Sequence, residues 1–163
     1  MKKIFGIPEK FLKFFGTKNA KYFLVFLVIF LIGCAKNINK NFNEVRIDNG
    51  EKIIKINAEI ADDNEERING LMFRERLNEN EGMFFIFGNE GYQAFWMKNT
   101  LIPLDIIFIG KNFEIVDIKN AVPCKDEPCP LYKSSKPAEY VLEVNGNFTI
   151  KNNVKAGDKI ILS

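Results

Sequence analysis

The sequence feature that most constrains the fold is a series of short apolar runs separated by turn residues between residues 53 and 162. In the first run, apolar residues alternate with polar ones from Ile54 to Ile60, a period of two that is typical of a half-buried strand. Further strands are predicted at Met83–Phe87, Ala94–Met97, Asp105–Ile109, Glu114–Ile118, Tyr140–Val144 and Asp158–Leu162. This spacing predicts a mainly β domain, α+β at the margin: a compact small barrel or sandwich of about six to seven mostly antiparallel short strands.

Helix signals are confined to one early segment. The run Asp62-Asp63-Asn64 offers an N-cap with acidic residues in the first turn that follows. A short helix is therefore predicted over residues 64–72, stopped near Gly70. One or two short helices of this kind would cover one face or opening of the strands.

The N-terminal segment predicts export. Residues 22–32 form an uncharged apolar run of eleven residues after a basic stretch, too short to cross a membrane but typical of a signal peptide. The run ends in Leu31-Ile32-Gly33-Cys34, which resembles the bacterial lipobox. The resemblance implies a signal peptide over 1–33, a diacylated Cys34 as the mature N-terminus, and membrane attachment through its lipid. The alternative is an uncleaved anchor or an ordinary buried apolar segment.

The polar segment that follows predicts a flexible tether over 34–44, and the folded domain is predicted over 45–163. The protein would thus be located in the bacterial cell envelope, facing the periplasm or the cell exterior.

Charge and composition exclude several classes of function. Residues 34–163 keep 17 basic and 20 acidic side chains, so their net charge is near −3, without the dense basic footprint of a nucleic-acid-binding protein. The chain has no histidine, which excludes Ser-His-Asp triads and histidine zinc sites. No nucleic acid, cofactor or metal is expected, and a monomer is expected.

Several motifs together resemble the DUF192 family, an uncharacterised domain of bacteria and archaea. The most specific is the run FWMKNTLIPLD at 95–105. The others are Arg67–Arg74, Gly82–Phe87, Pro123-Cys124, Cys129–Tyr132, Pro137-Ala138, Tyr140–Val144 and Gly157-Asp158. The resemblance covers residues 45–163 and implies a compact, largely β domain that is often exported, but no particular chemistry.

Charged residues within or beside apolar strands are the first candidate site. Arg67 and Arg74 flank the Gly-Leu-Met turn, and Asp105 and Glu143 lie inside apolar strands, where an acid needs a partner. One interpretation is a set of structural ion pairs that lock the helix to the sheet. The other is an anion-binding or catalytic cluster that also includes Lys98. A pair of catalytic carboxylates, Asp105 and Glu143, would suit glycoside hydrolysis if their separation allowed it.

Aromatic residues and methionines offer further candidates. In a strand, Trp96 and Lys98 share a face and could contact an anionic or sugar-like ligand, with Asn99 beside them; the alternative places Trp96 in the core. The full set of candidate ligand-binding residues is Arg67, Arg74, Trp96, Lys98, Asn99, Asp105, Tyr132 and Glu143. Met72, Met83 and Met97 would suit Cu(I), although methionine is also an ordinary core residue.

Cys124 and Cys129 are expected to form a disulfide, because two nearby cysteines outside the cytoplasm usually pair. A redox-active pair and a metal site remain alternatives. The spacing is not Cys-x-x-Cys, and Asp126 and Glu127 would disfavour a thiolate.

The function that these features favour is a ligand-binding or partner-binding accessory domain in the envelope, for an unknown small ligand or envelope protein. A hydrolase acting on an envelope carbohydrate or another small polar substrate is the alternative. Copper handling is a second alternative. No catalytic signature is present, so enzymatic activity is left open.

Overall fold

The computed structural model describes residues 42–162, which contain nine strands and two short helices. The strands are β1 (Phe42–Asp48), β2 (Ile53–Ala61), β3 (Glu81–Gly91), β4 (Ala94–Trp96), β5 (Leu104–Ile109), β6 (Ile115–Ala121), β7 (Leu131–Lys133), β8 (Ala138–Asn145) and β9 (Lys159–Leu162). The helices are α1 (Asn64–Asn69) and α2 (Phe148–Lys151).

Seven strands form one sheet in the order β6-β5-β8-β3-β2-β1-β9, which curls into a half-barrel. Of its neighbouring pairs, β2 and β3 are parallel and the others are antiparallel. On the side of β9 that faces away from β1, the amide of Ile160 donates to the carbonyl of Phe113 at 2.8 Å. Next to it, the amide of Ile115 donates to the carbonyl of Asp158 at 2.9 Å. These bonds tie β9 to the segment that enters β6.

The sheet buries apolar side chains on both faces. The enclosed face holds one core, built from residues such as Val45, Ile56, Phe84, Ile107 and Leu142. The opposite face holds a second core, covered by residues 62–80 and by the two-stranded sheet of β4 and β7. The Phe95 ring on β4 packs edge-on against Phe85 at 5.1 Å and against Phe108 at 6.0 Å, and so fixes the small sheet to the large one.

The first helix begins and ends as its sequence predicts. The side chain of Asp63 accepts from the amide of Glu66 at 2.8 Å, and the Glu66 carboxylate accepts from the amide of Asp63, which completes a capping box. The helix ends at Asn69, because Gly70 adopts a positive φ of 46°.

The mainly β fold class is therefore confirmed, with more strands than predicted. Neither β1 nor β7 was predicted, and β3 is longer than its predicted core of 83–87. β1 begins at Phe42, so the last three residues of the predicted tether belong to the sheet. The predicted signal peptide, Cys34 and the rest of the predicted tether lie outside the described residues. Within residues 42–162, no helix has the length and apolar character needed to cross a membrane.

Candidate functional site

A buried charged cluster lies on the second-core face of the sheet. The register places Glu59 on β2, Met83 on β3 and Glu143 on β8 side by side, so their side chains share that face. The segment after α1 folds over them and brings in Arg74. Arg74 forms a bidentate ion pair with Glu59, in which Nη2 lies 2.6 Å from Oε2 and Nη1 bonds Oε1.

The Glu143 carboxyl lies beside this ion pair but makes no hydrogen bond to another described residue. Its side chain is 5% exposed, and burial raises the pKa to about 8, against the opposing effect of the positive charge on Arg74. A Cβ at position 70 would lie 3.9 Å from Oε2 of Glu143, so the backbone of Gly70 covers the carboxyl. At neutral pH this group is therefore mainly protonated and enclosed.

Asp105 belongs to a different environment. In β5 it pairs with Val144 while Ile106 pairs with Glu143, so the carboxyls of Asp105 and Glu143 point to opposite faces of the sheet. The prediction that these two acids act together as catalytic carboxylates is therefore wrong. Nor does Asp105 pair with an arginine: it accepts from the amide of Thr149 at 2.8 Å, the hydroxyl of Thr149 at 2.6 Å, the amide of Asn147 at 3.1 Å and the side chain of Asn120 at 2.7 Å.

Arg67 also has a structural role. Its guanidinium donates to the carbonyls of Asp62 and Ile86 and to the side chain of Asn64, and it lies over the ring of Phe87 at 5.8 Å. These contacts hold α1 against β3. Arg67 therefore takes part in the helix-locking interaction predicted for it, but through carbonyls rather than through Asp105 or Glu143.

The second candidate region is the outer face of the small sheet. Phe95 and Tyr132 are paired across β4 and β7 and pack against the second core, while Trp96 and its partner Leu131 point outward. The ammonium of Lys98 lies 5.6 Å from the centre of the Trp96 ring and 2.8 Å from the Glu127 carboxylate. The interpretation of Trp96 as a core residue is therefore wrong.

Glu127, which is ion-paired with Lys98, lies in the loop that the disulfide closes. Cys124 and Cys129 form the predicted disulfide, with their Cα atoms 5.6 Å apart. The amide of Val122, just before this loop, donates to the hydroxyl of Tyr132 at 3.2 Å. Tyr132 therefore holds the start of the loop in place, and its ring lies beneath the outer face rather than on it.

A four-residue turn at 97–100 joins these segments. It is closed by the amide of Thr100, which donates to the carbonyl of Met97 at 3.2 Å. The same carbonyl accepts from the amide of Cys124 at 3.3 Å, and the carbonyl of Asn99 accepts from the amide of Phe73 at 2.8 Å. Phe73 and Asn99 have positive φ angles of 62° and 56°, a conformation that a bulky side chain such as phenylalanine rarely adopts.

Five large apolar side chains around this turn are exposed, and we call them, together with Lys98, the Trp96 surface. Their exposed fractions are 68% for Phe73, 45% for Trp96, 54% for Leu101, 62% for Val122 and 55% for Leu131. They come from parts of the chain that are distant in sequence. The amides of Phe73 and Cys124 donate to carbonyls of the turn, and Leu131 pairs with Trp96 across β4 and β7. Such a gathering of exposed apolar groups marks a contact surface better than scattered single residues do.

Two of the three candidate methionines are core residues. Met83 and Met97 are buried in the second core, and the sulfur of Met72 lies 4.0 Å from the side-chain nitrogen of Asn99. The two cysteines near them are joined to each other. In the described part of the chain, no group of three or more His, Cys, Asp or Glu side chains is placed to hold a metal ion.

The structure thus divides the predicted set of site residues. Arg74 and Glu143 come together, Trp96, Lys98 and Asn99 meet at the turn, and Arg67, Asp105 and Tyr132 have structural contacts. Sequence reasoning missed Glu59, because its alternation with Ile60 places it on the polar side of β2. It also missed Phe73 and Leu101, because nothing local distinguishes them from core residues.

Comparisons with known proteins identify relatives without identifying an activity. The DUF192 family model, described as "Uncharacterized ACR", matches residues 45–162. A crystal structure described as a "putative transcription regulator" from Sinorhizobium meliloti 1021 is 32% identical, with a TM-score of 0.71, and the match covers 77% of this chain and 96% of that one. A protein of unknown function from Novosphingobium aromaticivorans DSM 12444 is 35% identical, with a TM-score of 0.69, over 74% of this chain and 84% of that one. No curated protein matches the chain.

Proposed function

The chain belongs to the DUF192 family, and on that premise we propose that it is an envelope lipoprotein whose folded domain is a binding or accessory module. Its contact region is the Trp96 surface. The observation that carries the proposal is that five exposed apolar side chains belong to segments that are bonded to, or flank, one hydrogen-bonded turn. The cores of protein interfaces are enriched in aromatic side chains, and Phe73 and Trp96 supply them here.

The rigidity of this surface supports a role in binding. Phe73 is held in a left-handed conformation by its bond to Asn99, and the disulfide limits the movement of residues 124–129. A preorganised surface loses less conformational entropy when it binds. Backbone strain such as the positive φ of Phe73 is found mainly at functional sites.

The envelope location rests on the leader. Its eleven-residue apolar run and the cysteine at position 34 resemble a lipoprotein signal. The disulfide of Cys124 and Cys129 is consistent with export, because such bonds persist outside the reducing cytoplasm.

The surface is tested by hydroxyl-radical labelling of the full chain, in isolated envelopes and after purification in mild detergent. We expect Trp96 to be oxidised more slowly in envelopes, because a ligand or partner covers it there. Tyr92 is 71% exposed on the β3–β4 connection and is the internal control, with the same rate in both samples. Equal rates for Trp96 in the two samples would contradict the binding role.

The anchor is tested separately. The wild-type chain should incorporate radiolabelled fatty acid and fractionate with membranes, and the Cys34→Ala chain should carry no label. Label in the Cys34→Ala chain, or none in the wild type, would contradict the lipoprotein assignment without bearing on the Trp96 surface.

A further inference from the structure

We propose that the Trp96 surface docks on the lipid bilayer itself, so that the domain lies on the membrane that holds its anchor. This inference rests on the proposed lipid anchor at Cys34 and names the occupant of the surface. The occupant is a zwitterionic phospholipid surface, contacted by the apolar side chains at the boundary between head groups and acyl chains.

The side-chain chemistry fits that boundary. Tryptophan is enriched at membrane interfaces, and phenylalanine and leucine enter the acyl region below. Lysine side chains reach outward to head-group phosphates while their stems remain in apolar surroundings. Lys98 lies beside Trp96, and Lys133 shares the outward face of β7 with Leu131. Lys133 makes no ion pair with another described residue, so its ammonium is available to a phosphate.

The position of the chain's entry into the domain supports the same occupant. Phe42, the first described residue, pairs with Glu59 across β1 and β2. Glu59 is ion-paired with Arg74. Arg74 directly follows Phe73 in the sequence, and Phe73 belongs to the Trp96 surface. The chain therefore enters the domain at the end of β2 to which the segment carrying Phe73 is ion-paired.

The tether is also short. Eight residue steps separate Cys34 from Phe42, and a fully extended chain of that length spans at most about 28 Å. An acylated Cys34 would keep the entry point within that distance of the bilayer. The opposite end of β2, at Ile53, is six residues from Glu59 and therefore about 20 Å further along the strand.

A lipid anchor would strengthen the binding of a small apolar surface to a membrane. Five apolar side chains on a free protein would bind lipid weakly, but a tethered surface meets the bilayer at a high effective concentration. Residues 34–163 have a net charge near −3, so general electrostatic attraction to anionic lipids does not contribute. Docking should therefore be insensitive to added salt.

Trp96 is the only tryptophan of the chain, so its fluorescence reports on this surface alone. The experiment reconstitutes the full acylated chain into phosphatidylcholine vesicles, with and without brominated acyl chains. We expect the chain to float with the vesicles, its emission to shift to shorter wavelengths, and the brominated lipid to quench it. Adding salt should leave the quenching unchanged.

Matched variants separate docking from anchoring. The double variant Phe73→Asn, Leu101→Ser keeps the anchor and a residue that tolerates positive φ, and should lose most of the quenching while it still floats. Ile53→Ser, an exposed apolar residue at the far end of β2, should behave like the wild type. Circular dichroism verifies that both variants remain folded.

Two outcomes would overturn the inference in distinguishable ways. Flotation without quenching would retain the anchor and leave the Trp96 surface to a protein partner. Failure to float would overturn the lipid anchor and the docking together.

Discussion

At the scale of single residues, Glu143 is a buried carboxyl that forms no ion pair with another described residue. Arg74 uses both of its terminal nitrogens on Glu59, although the sequence predicted Asp105 or Glu143 as its partner. The buried Glu143 carboxyl retains its proton at neutral pH, because its ionisation in apolar surroundings costs more free energy than the neighbouring positive charge of Arg74 recovers.

Replacing Glu143 with glutamine should make stability less dependent on pH. The folded chain holds a proton on Glu143 up to a pKa of about 8, whereas the unfolded chain releases it near 4.5. The folded state therefore binds more protons between these values, and the free energy of unfolding falls as the pH rises through this range. Urea unfolding of the wild type and of Glu143→Gln at pH 5, 7 and 9 measures this difference.

The expected result is that Glu143→Gln becomes more stable relative to the wild type as the pH rises, with the difference levelling off above pH 8. A difference that is constant from pH 5 to pH 9 would show that Glu143 is ionised in the folded chain.

Breaking the ion pair between Arg74 and Glu59 should destabilise the fold. Arg74→Met removes the bidentate guanidinium partner of the Glu59 carboxylate, a change that costs about 3 kcal/mol. The double variant Arg74→Met, Glu59→Gln should recover part of that loss. Thermal and urea unfolding of the two variants provide the measurement.

The matched control for that ion pair is the exposed pair of Lys55 and Glu44, 3.2 Å apart. Lys55→Met should change the unfolding midpoint little, because water screens exposed pairs. Equal effects of Arg74→Met and Lys55→Met would contradict the assignment of the Arg74 pair as buried and structural.

At the scale of elements, Asp105 attaches α2 to the sheet. A helix of four residues has little stability of its own, and the carboxylate of Asp105 accepts from the amide and the hydroxyl of Thr149 within it. The sequence indicated that an acid inside an apolar strand needs a partner. The partners turned out to be backbone amides and neutral side chains rather than an arginine.

Asp105→Ala should therefore release α2 and destabilise the domain by about 3 kcal/mol or more, because it leaves several buried donors without acceptors. Hydrogen exchange should show faster exchange at residues 147–154 than elsewhere. Asp117→Ala, in the adjacent strand β6, is the control, because its carboxylate bonds the exposed Ser135 amide instead of α2. Unchanged exchange at 147–154 in Asp105→Ala would contradict this role.

The disulfide should be a local constraint. Cys124→Ser with Cys129→Ser removes a short covalent loop, with an expected loss of about 2 kcal/mol in the chain-entropy model. The backbone bond and the ion pair of this loop go to Met97 and Lys98 rather than to the seven-stranded sheet, so hydrogen exchange should increase at 122–133 and not in β2, β3 or β8. Increased exchange throughout the large sheet would indicate that the loop supports the whole fold.

At the scale of the whole molecule, the curled sheet depends on β9. This strand pairs with β1 on one side and bonds the 113–115 segment on the other. It also contributes Ile160 to the enclosed core. β9 therefore covers an edge of the sheet that would otherwise be exposed.

A chain that ends at Asp158 should consequently unfold at lower urea concentration and tend to associate, because the edge of β1 and the core side chains Val45 and Ile47 become accessible. Urea titration and light scattering measure the two effects. Ile161→Ser, a half-exposed residue of the same strand, is the control and should remain close to the wild type. An unchanged urea midpoint in the truncated chain would contradict the role of β9.

Much of this architecture could be predicted from the sequence. The alternation in β2, the short apolar runs, the cap at Asp63 and the stop at Gly70 were local signals, and each gave an element close to the observed one. The family resemblance came from the same residues, and the pairing of Cys124 with Cys129 followed from their proximity. The lipid on Cys34 remains a prediction.

The candidate site was less predictable, because it depends on contacts between segments distant in sequence. Alternation identified the faces of β2 but not that residues 70–74 cover its polar side at Glu59. The motif around Trp96 suggested a strand, yet whether the ring faces the core or the solvent depends on which face of β4 packs against the large sheet.

Most of the secondary structure, the fold class and the likeness to the DUF192 family follow from the sequence alone, because they depend on periodicity and on short-range chemistry. Three features depend on tertiary contacts. Arg74 pairs with Glu59, and Glu143 is buried and protonated at neutral pH. Phe73, Leu101 and Trp96 are exposed around one turn. The physical reason is that a residue's burial and charge partners depend on which distant segment packs over it, and local patterns do not specify that segment.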